Sequence, residues 1–170
     1  MAELIADLAA RLGVRRFVAV CTDLMAGAER EEHLEALRGL TGHDPIDKVL
    51  DRDSWHDYWV RTWGARGLLH VWDDAATDAV VCGLADEHWR PAEMCLKVAA
   101  KHDVAGTGDG AAALAVHELP RVRAQAMRAL AVVGDSEHVA VVRDRLDDED
   151  AEVRKQAARA LDALARRLDQ

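Results

Sequence analysis

Three tryptophans spaced by four residues, Trp55, Trp59 and Trp63, are the side chains best suited to bind another molecule. In a helix this spacing places all three on one side, away from Gly64. Tryptophan is enriched among the residues that dominate protein interfaces. If this aromatic patch is uncovered, we expect Trp59 and Trp63 to anchor a partner. The alternative is that residues 2–51 fold back and cover the patch as a cap.

A column of basic residues recurs every 31 residues along the chain. Its members are Arg66, Lys97, Arg128 and Arg159. If the helices that carry them stack about 8–10 Å apart, these cations form a rib that could hold an acidic partner. The alternative is a set of solvated ion pairs, because acidic residues are abundant and exposed arginine is common on helices.

No pattern indicates a catalytic or metal centre. Cys21, Cys82 and Cys95 are far apart and form no C-x-x-C pair, which predicts free thiols in small buried positions. None of the eight histidines has the spacing to a cysteine that a nucleophilic mechanism requires. We therefore expect a protein that is not an enzyme and holds no metal or cofactor.

Composition limits the class of protein. The 170 residues suit a single domain over positions 1–170, and half of them are apolar. Alanine and leucine dominate the apolar share, which favours helices. A net charge of −9 disfavours binding to nucleic acid or anionic membranes. Charges scattered through residues 1–20 predict neither a signal peptide nor a membrane span, so we expect a cytoplasmic protein.

The elements that position these side chains are indicated by a segment that returns every 31 residues. Its copies are residues 60–69, 91–99, 122–130 and 153–161. Small or apolar residues fall at i, i+3, i+4 and i+7 in the first, third and fourth copies, which is one face of a helix. Two glycines of the first copy, Gly64 and Gly67, cost about 1 kcal/mol each within a helix. We therefore expect a neighbouring helix to approach closely there.

A second helix follows each first one and completes a helical hairpin. The predicted second helices cover residues 78–84, 110–116 and 139–146. Asp57 and Asp150 are predicted N-caps, and Pro120 is predicted at the first position of its helix.

The N-terminal part departs from the repeat. Residues 2–12 and 14–25 are predicted helices, and residues 28–40 match the repeat only weakly. We expect residues 1–51 to form a helical cap or degenerate repeat, followed by repeats over residues 52–170.

Residues 147–161 carry the pattern Asp-Asp-x-Asp-x-x-Val-Arg-x-x-Ala-x-x-Ala-Leu, which closely resembles HEAT repeats of the short bacterial type. Residues 55–101 further resemble a group of actinobacterial HEAT-repeat proteins. The resemblance implies an all-α solenoid of three to four HEAT-type αα-hairpins with a helical N-terminal cap. It also implies that signature arginines brace neighbouring units, although one copy has alanine instead. These arginines are Arg61, Arg123 and Arg154, and the exception is Ala92.

HEAT arrays most often serve as protein-binding scaffolds, so the resemblance implies a non-enzymatic interaction module with a protein partner. The tryptophans would anchor an acidic partner that the basic column orients. The alternative is a nucleic-acid-binding or DNA-repair module, because Trp59, Trp63 and Asp57 resemble residues of HEAT-like glycosylases. HEAT-like di-iron hydroxylases carry several His-Glu pairs, and this chain has only His117-Glu118.

The oligomeric state is predicted from the last helix. Four apolar residues lie along one side of it and leave a dimer contact open, so we expect a monomer or a weak dimer. These residues are Ala157, Leu161, Leu164 and Leu168.

Overall fold

The computed structural model describes residues 1–44 and 46–169, which contain eleven α-helices and no β-strand. Short 3-10 turns join several of the helices. The helices are α1 (Ala2–Leu12), α2 (Val14–Met25), α3 (Leu34–Thr41), α4 (Asp47–Leu50), α5 (Asp57–His70), α6 (Thr77–Gly83), α7 (Trp89–His102), α8 (Gly108–Leu114), α9 (Pro120–Val133), α10 (Val139–Asp144) and α11 (Ala151–Leu168). This all-α helical-repeat architecture confirms the predicted solenoid class.

The chain divides into two compact units, Met1–Met94 and Cys95–Gln170, and the division falls within α7. In the first unit α1 packs against α2 and α3, which both pack against α5. In the second unit α9 packs against α8 and α11, and α11 also contacts α10. Whether residues 1–170 act as a single domain stays a prediction.

The small residues of the repeat lie in the core, as the helical periodicity predicts. Cys95, Ala126 and Ala157, which occupy one repeat column, are all fully buried. The glycines of the first copy meet α2 closely. A Cβ atom at Gly64 would lie 2.6 Å from the carbonyl oxygen of Cys21, and one at Gly67 would lie 2.5 Å from its sulfur. The predicted close approach is therefore confirmed, and α2 provides it.

The helix ends confirm all but one of the predicted caps. The side chain of Asp150 accepts hydrogen bonds from two backbone N–H groups at the start of α11, and Pro120 is the first residue of α9. The prediction for Asp57 is wrong, because α5 begins at Asp57 and the preceding His56 is the N-cap residue. The Asp57 carboxylate instead accepts a hydrogen bond from Arg30 at 2.5 Å. The carboxylate of Asp57 therefore binds the guanidinium of Arg30, which is distant in sequence, and not the backbone N–H groups at the start of α5.

The N-terminal helices over residues 2–12 and 14–25 are confirmed with the predicted bounds. The weak match at residues 28–40 is a 3-10 turn over Arg30–His33 followed by α3. Arg30 lies one repeat period before Arg61, and its side chain is only 2% exposed.

The last helix does not leave its apolar side open. Ala157 and Leu164 are fully buried, and α11 packs closely against α9. The predicted dimer contact on this side is therefore wrong, because α9 already covers it. Leu168, near the end of the helix, is 41% exposed.

Candidate interaction surface

Three of the predicted site residues lie together on α5. Trp59, Trp63 and Arg66 follow one another at intervals of four and three residues, and all three are half-buried. Helical geometry brings side chains at these intervals to one side. Because α2 packs on the Gly64 and Gly67 side of the same helix, the tryptophans keep part of their surface accessible to solvent.

Arg90, from the start of α7, organises the aromatic residues of α5. Its guanidinium carbon lies 4.8 Å from the ring centre of Trp59, 5.5 Å from that of Tyr58 and 4.3 Å from that of Trp89. Each distance is within the range of a cation–π contact. Trp59 also stacks on Trp55, with ring centres 6.5 Å apart. The indole of Trp59 is therefore held between a cation and a second indole.

An imidazole stack completes this cluster. The rings of Tyr58 and His88 are nearly parallel, with centres 3.6 Å apart. Burial lowers the pKa of His88, and the positive charge of Arg90 lowers it further. We therefore expect a neutral imidazole at neutral pH, which stacks without adding a second cation beside Arg90.

Sequence reasoning missed Tyr58, His88 and Arg90 as members of this surface. Their contacts join α5 to the start of α7, with α6 between the two in the chain, so no single helical face contains them. The aromatic spacing of α5 does not show which later residue packs on it. The signal in the sequence is limited to the adjacent pair His88-Trp89, directly before Arg90.

Arg66 is a cation without a carboxylate partner in the described residues. Its guanidinium carbon lies 5.1 Å from the ring centre of Trp63, and its Nε is buried without a hydrogen-bond acceptor. An unmatched donor of this kind is unusual, because nearly all buried polar groups are hydrogen-bonded. Arg66 and Trp63 therefore offer an incoming acidic group both a charge and an apolar surface.

The other three residues of the basic column belong to the second unit. Lys97 is half-buried on α7, whereas Arg128 and Arg159 are exposed on α9 and α11. Arg128 donates to Glu152 at 2.6 Å, as the alternative of solvated ion pairs predicts. Arg159 forms no ion pair within residues 1–44 and 46–169. The column thus combines a paired and an unpaired arginine.

Two of the three signature arginines, Arg61 and Arg123, are braces of the kind that the family resemblance implies. Arg61 binds Asp86 with two hydrogen bonds of 2.6 and 2.9 Å. Arg123 binds Asp148 with two hydrogen bonds of 2.8 Å. Each aspartate lies 25 residues after its arginine, in the turn that leads to the next helix. Arg154 instead donates to the carbonyl oxygens at the end of the preceding turn.

His117 occupies the turn position that aspartate holds in the other repeats. Its Nδ1 accepts from the backbone N–H two residues on at 3.0 Å, as an oxygen of Asp148 does in the next repeat. In the repeat register His117 is the counterpart of Asp86, and the alanine at position 92 is the counterpart of Arg61. Because the Nδ1 atom of His117 accepts this backbone hydrogen bond, the turn keeps its hydrogen bond in the repeat that has alanine in place of the signature arginine.

Acid is expected to weaken the Arg123–Asp148 brace. The hydrogen bond from Arg123 lowers the pKa of Asp148, which therefore stabilises the fold fully at pH values above the ordinary pKa of aspartate. The free energy of unfolding should fall as the pH drops below about 4. Urea unfolding at a series of pH values measures the effect. Asp148→Asn should show a shallower acid dependence, and an unchanged slope would contradict the assignment.

One cluster has the residue types of a metal site. Ligand atoms of Asp109, Glu137 and His138 lie within 4.8 Å of one another. Both imidazole nitrogens are engaged, however, because Nδ1 of His138 accepts from the backbone N–H of Asp135 and Nε2 lies 3.1 Å from Asp109. This pattern assigns the proton to Nε2 and removes its lone pair from metal binding. His138 is therefore the capping residue of a turn.

Comparison with known proteins matches part of the chain to a family model. Residues 110–168 match the family model described as HEAT repeats, which is about a third of the chain. No curated protein and no solved structure matches significantly. Within residues 1–44 and 46–169, no helix is both long and apolar enough to cross a membrane. The matched region contains α9, α11 and the Arg123–Asp148 brace, and it supports a HEAT-repeat protein.

Proposed function

We propose that this chain is a non-enzymatic interaction module that presents a rigid helical-repeat surface to a protein partner with acidic side chains. HEAT repeats commonly serve as protein-interaction scaffolds, and the family is generally non-enzymatic. In the proposed mechanism, rigid packed helices present the binding side chains to the partner. Because packed helices fix the binding side chains, little conformational freedom is lost when the partner docks.

The observation that carries the proposal is the pair formed by Trp63 and Arg66. Arg66 lies on an indole, has a buried Nε without an acceptor and has no ion pair in the described part of the chain. A carboxylate of a partner would pair with the accessible part of the Arg66 guanidinium, which has no carboxylate partner among the described residues, through a charge-assisted hydrogen bond. The partly exposed face of Trp63 would pack against the apolar atoms next to that carboxylate.

Trp59 extends the same surface as a second anchor. Its ring is fixed by Arg90 at 4.8 Å and by the stack on Trp55. A side chain that is already fixed loses less rotamer entropy on binding. The remaining residues of the basic column, which are Lys97, Arg128 and Arg159, would orient the acidic partner through local charge attraction.

Charge reversal at Arg66 tests this function. We expect Arg66→Glu to reduce capture of acidic partner proteins from native cell extract at least tenfold, measured by quantitative mass spectrometry. The matched control is Arg143→Glu, which reverses an exposed arginine on α10. Circular dichroism should show both variants folded. Equal capture by wild type and Arg66→Glu would refute the role of this surface.

The nucleic-acid-binding alternative finds no support in the comparisons. Phosphate contacts release counterions, so such binding would be strongest at low salt and would fall steeply as salt is added. We expect no shift of DNA or RNA in a gel at low salt.

We further propose a monomer or weak dimer that works in the cytoplasm without a cofactor. The relation of residues 55–101 to actinobacterial HEAT proteins stays a prediction.

A further inference from the structure

A mostly apolar groove of about 280 Å³ lies between the C-terminal end of α2 and one side of the short helix α6 in the first unit. Met25 and Ala26 form one wall, and Ala79 and Cys82 form the other. The volume falls below the roughly 300–1,000 Å³ typical of small-molecule sites. It suits one long side chain of a partner better than a cofactor.

The electrostatics of the groove favour a cation. Helix α2 ends at Met25 and α6 ends at Gly83, and neither has a basic residue in its last turn. The carbonyl oxygens at a helix C-terminus carry partial negative charge, which a basic side chain usually compensates. The net charge of −9 adds long-range attraction for cations.

Two carboxylates border the groove, and only one is available to a ligand. Asp86 is held by two hydrogen bonds from Arg61, so its charge is already compensated. Asp78 is exposed at the start of α6 and has no ion pair within the described residues. A basic group in the groove would therefore pair with Asp78.

We propose that this groove binds a lysine or arginine side chain of a protein partner. The methylene groups of the side chain would pack on Met25 and Ala79, and its charged end would reach Asp78 and the carbonyl end of α2. Long basic side chains commonly bury their apolar stem in this way while their charge stays near solvent. The groove is a second site, of opposite charge preference to the surface around Arg66.

Cys82 provides a direct probe of the groove, because its thiol is exposed while the other two cysteines are buried. Burial raises the pKa of Cys21 to about 12, which makes that thiol unreactive near neutral pH. Alkylation by iodoacetamide should therefore report mainly on Cys82. The probe ligands are two short peptides with the same apolar flanks, one with a central arginine and one with glutamate in its place.

We expect the arginine peptide to slow alkylation of Cys82 at least threefold and the glutamate peptide to leave the rate unchanged. Asp78→Asn should weaken the protection by the arginine peptide about threefold, as the loss of an exposed ion pair predicts. The matched control is Glu35→Gln, which neutralises an exposed carboxylate in the first turn of α3. Circular dichroism checks that each variant is folded.

Three outcomes would overturn the proposal. Equal protection of Cys82 by both peptides would show that the groove binds apolar groups without preferring a cation. If neither peptide protected Cys82, the groove would bind neither the arginine nor the glutamate side chain. If protection of Cys82 from alkylation rose with protein concentration in the absence of peptide, and sedimentation showed dimers, the occupant of the groove would be a second copy of the chain. Since Arg66→Glu leaves the groove intact, failure here is distinguishable from failure of the proposed function.

Discussion

Replacing Arg123 by alanine is expected to lower the free energy of unfolding by about 3 kcal/mol, because the buried carboxylate of Asp148 loses its guanidinium hydrogen bonds and keeps only Arg145 at 3.7 Å and one backbone N–H. The side chains of Arg123 and Asp148 are 7% and 3% exposed, and two hydrogen bonds of 2.8 Å join them. Arg123 also donates to the carbonyl oxygens of His117 and Glu118, each at 3.0 Å. Urea unfolding followed by circular dichroism measures the loss.

Arg154→Ala is the matched control, since it removes the signature arginine of the next repeat. Arg154 is exposed and donates only to backbone carbonyls, at 2.7 and 3.0 Å. These carbonyl oxygens can accept hydrogen bonds from water instead, so we expect the free energy of unfolding to fall by about 1 kcal/mol or less. If the two variants lost the same stability, the carboxylate of Asp148 would not be the reason for the effect at Arg123.

The repeat itself was predictable because its signal is local and periodic. Small residues at helical spacing recur every 31 residues, and the structure buries them in both units. The caps at Asp150 and Pro120 were predictable for the same reason, since each acts within its own first turn. Features that depend on a few neighbouring residues can be derived from the sequence.

Long-range polar contacts are where the sequence prediction failed. Asp57 has the residue type and position of an N-cap, yet Arg30 binds its carboxylate from 27 residues away. The hydrogen bond from Arg30 lowers the pKa of Asp57. Residue type and helical spacing carry no information about a partner on another element. A prediction from residue type and helical spacing alone therefore assigned backbone N–H groups as the hydrogen-bond donors to Asp57.

The candidate site also has one feature that the sequence predicts and another that it does not. The common side of Trp59, Trp63 and Arg66 follows from helical geometry alone. The cation–π contacts of Arg90 do not, because they depend on how the start of α7 meets α5. In the register of the repeat, the position of Arg90 is taken by Arg121 and then Glu152, so no periodic pattern marks it.

Gly64→Ala is expected to destabilise the protein by about 2 kcal/mol, although alanine is the better helix former. The added Cβ would lie 2.6 Å from the carbonyl oxygen of Cys21, and a backbone atom cannot move aside by changing rotamer. Leu24 and Met25 lie 3.1 Å from the same point. The substitution must therefore push α2 away from α5. Thermal and urea unfolding measure the loss.

Gly39→Ala separates this steric effect from helix propensity. Gly39 lies within α3, and a Cβ there would meet only side-chain atoms of Leu8, the nearest at 2.9 Å. Because the end of a leucine side chain can shift, we expect a change of less than about 1 kcal/mol in either direction. If Gly64→Ala were as well tolerated as Gly39→Ala, the contact of α2 with the first repeat helix would be looser than the distances indicate. The tight packing behind Trp59 and Trp63 would then not be what holds them in place.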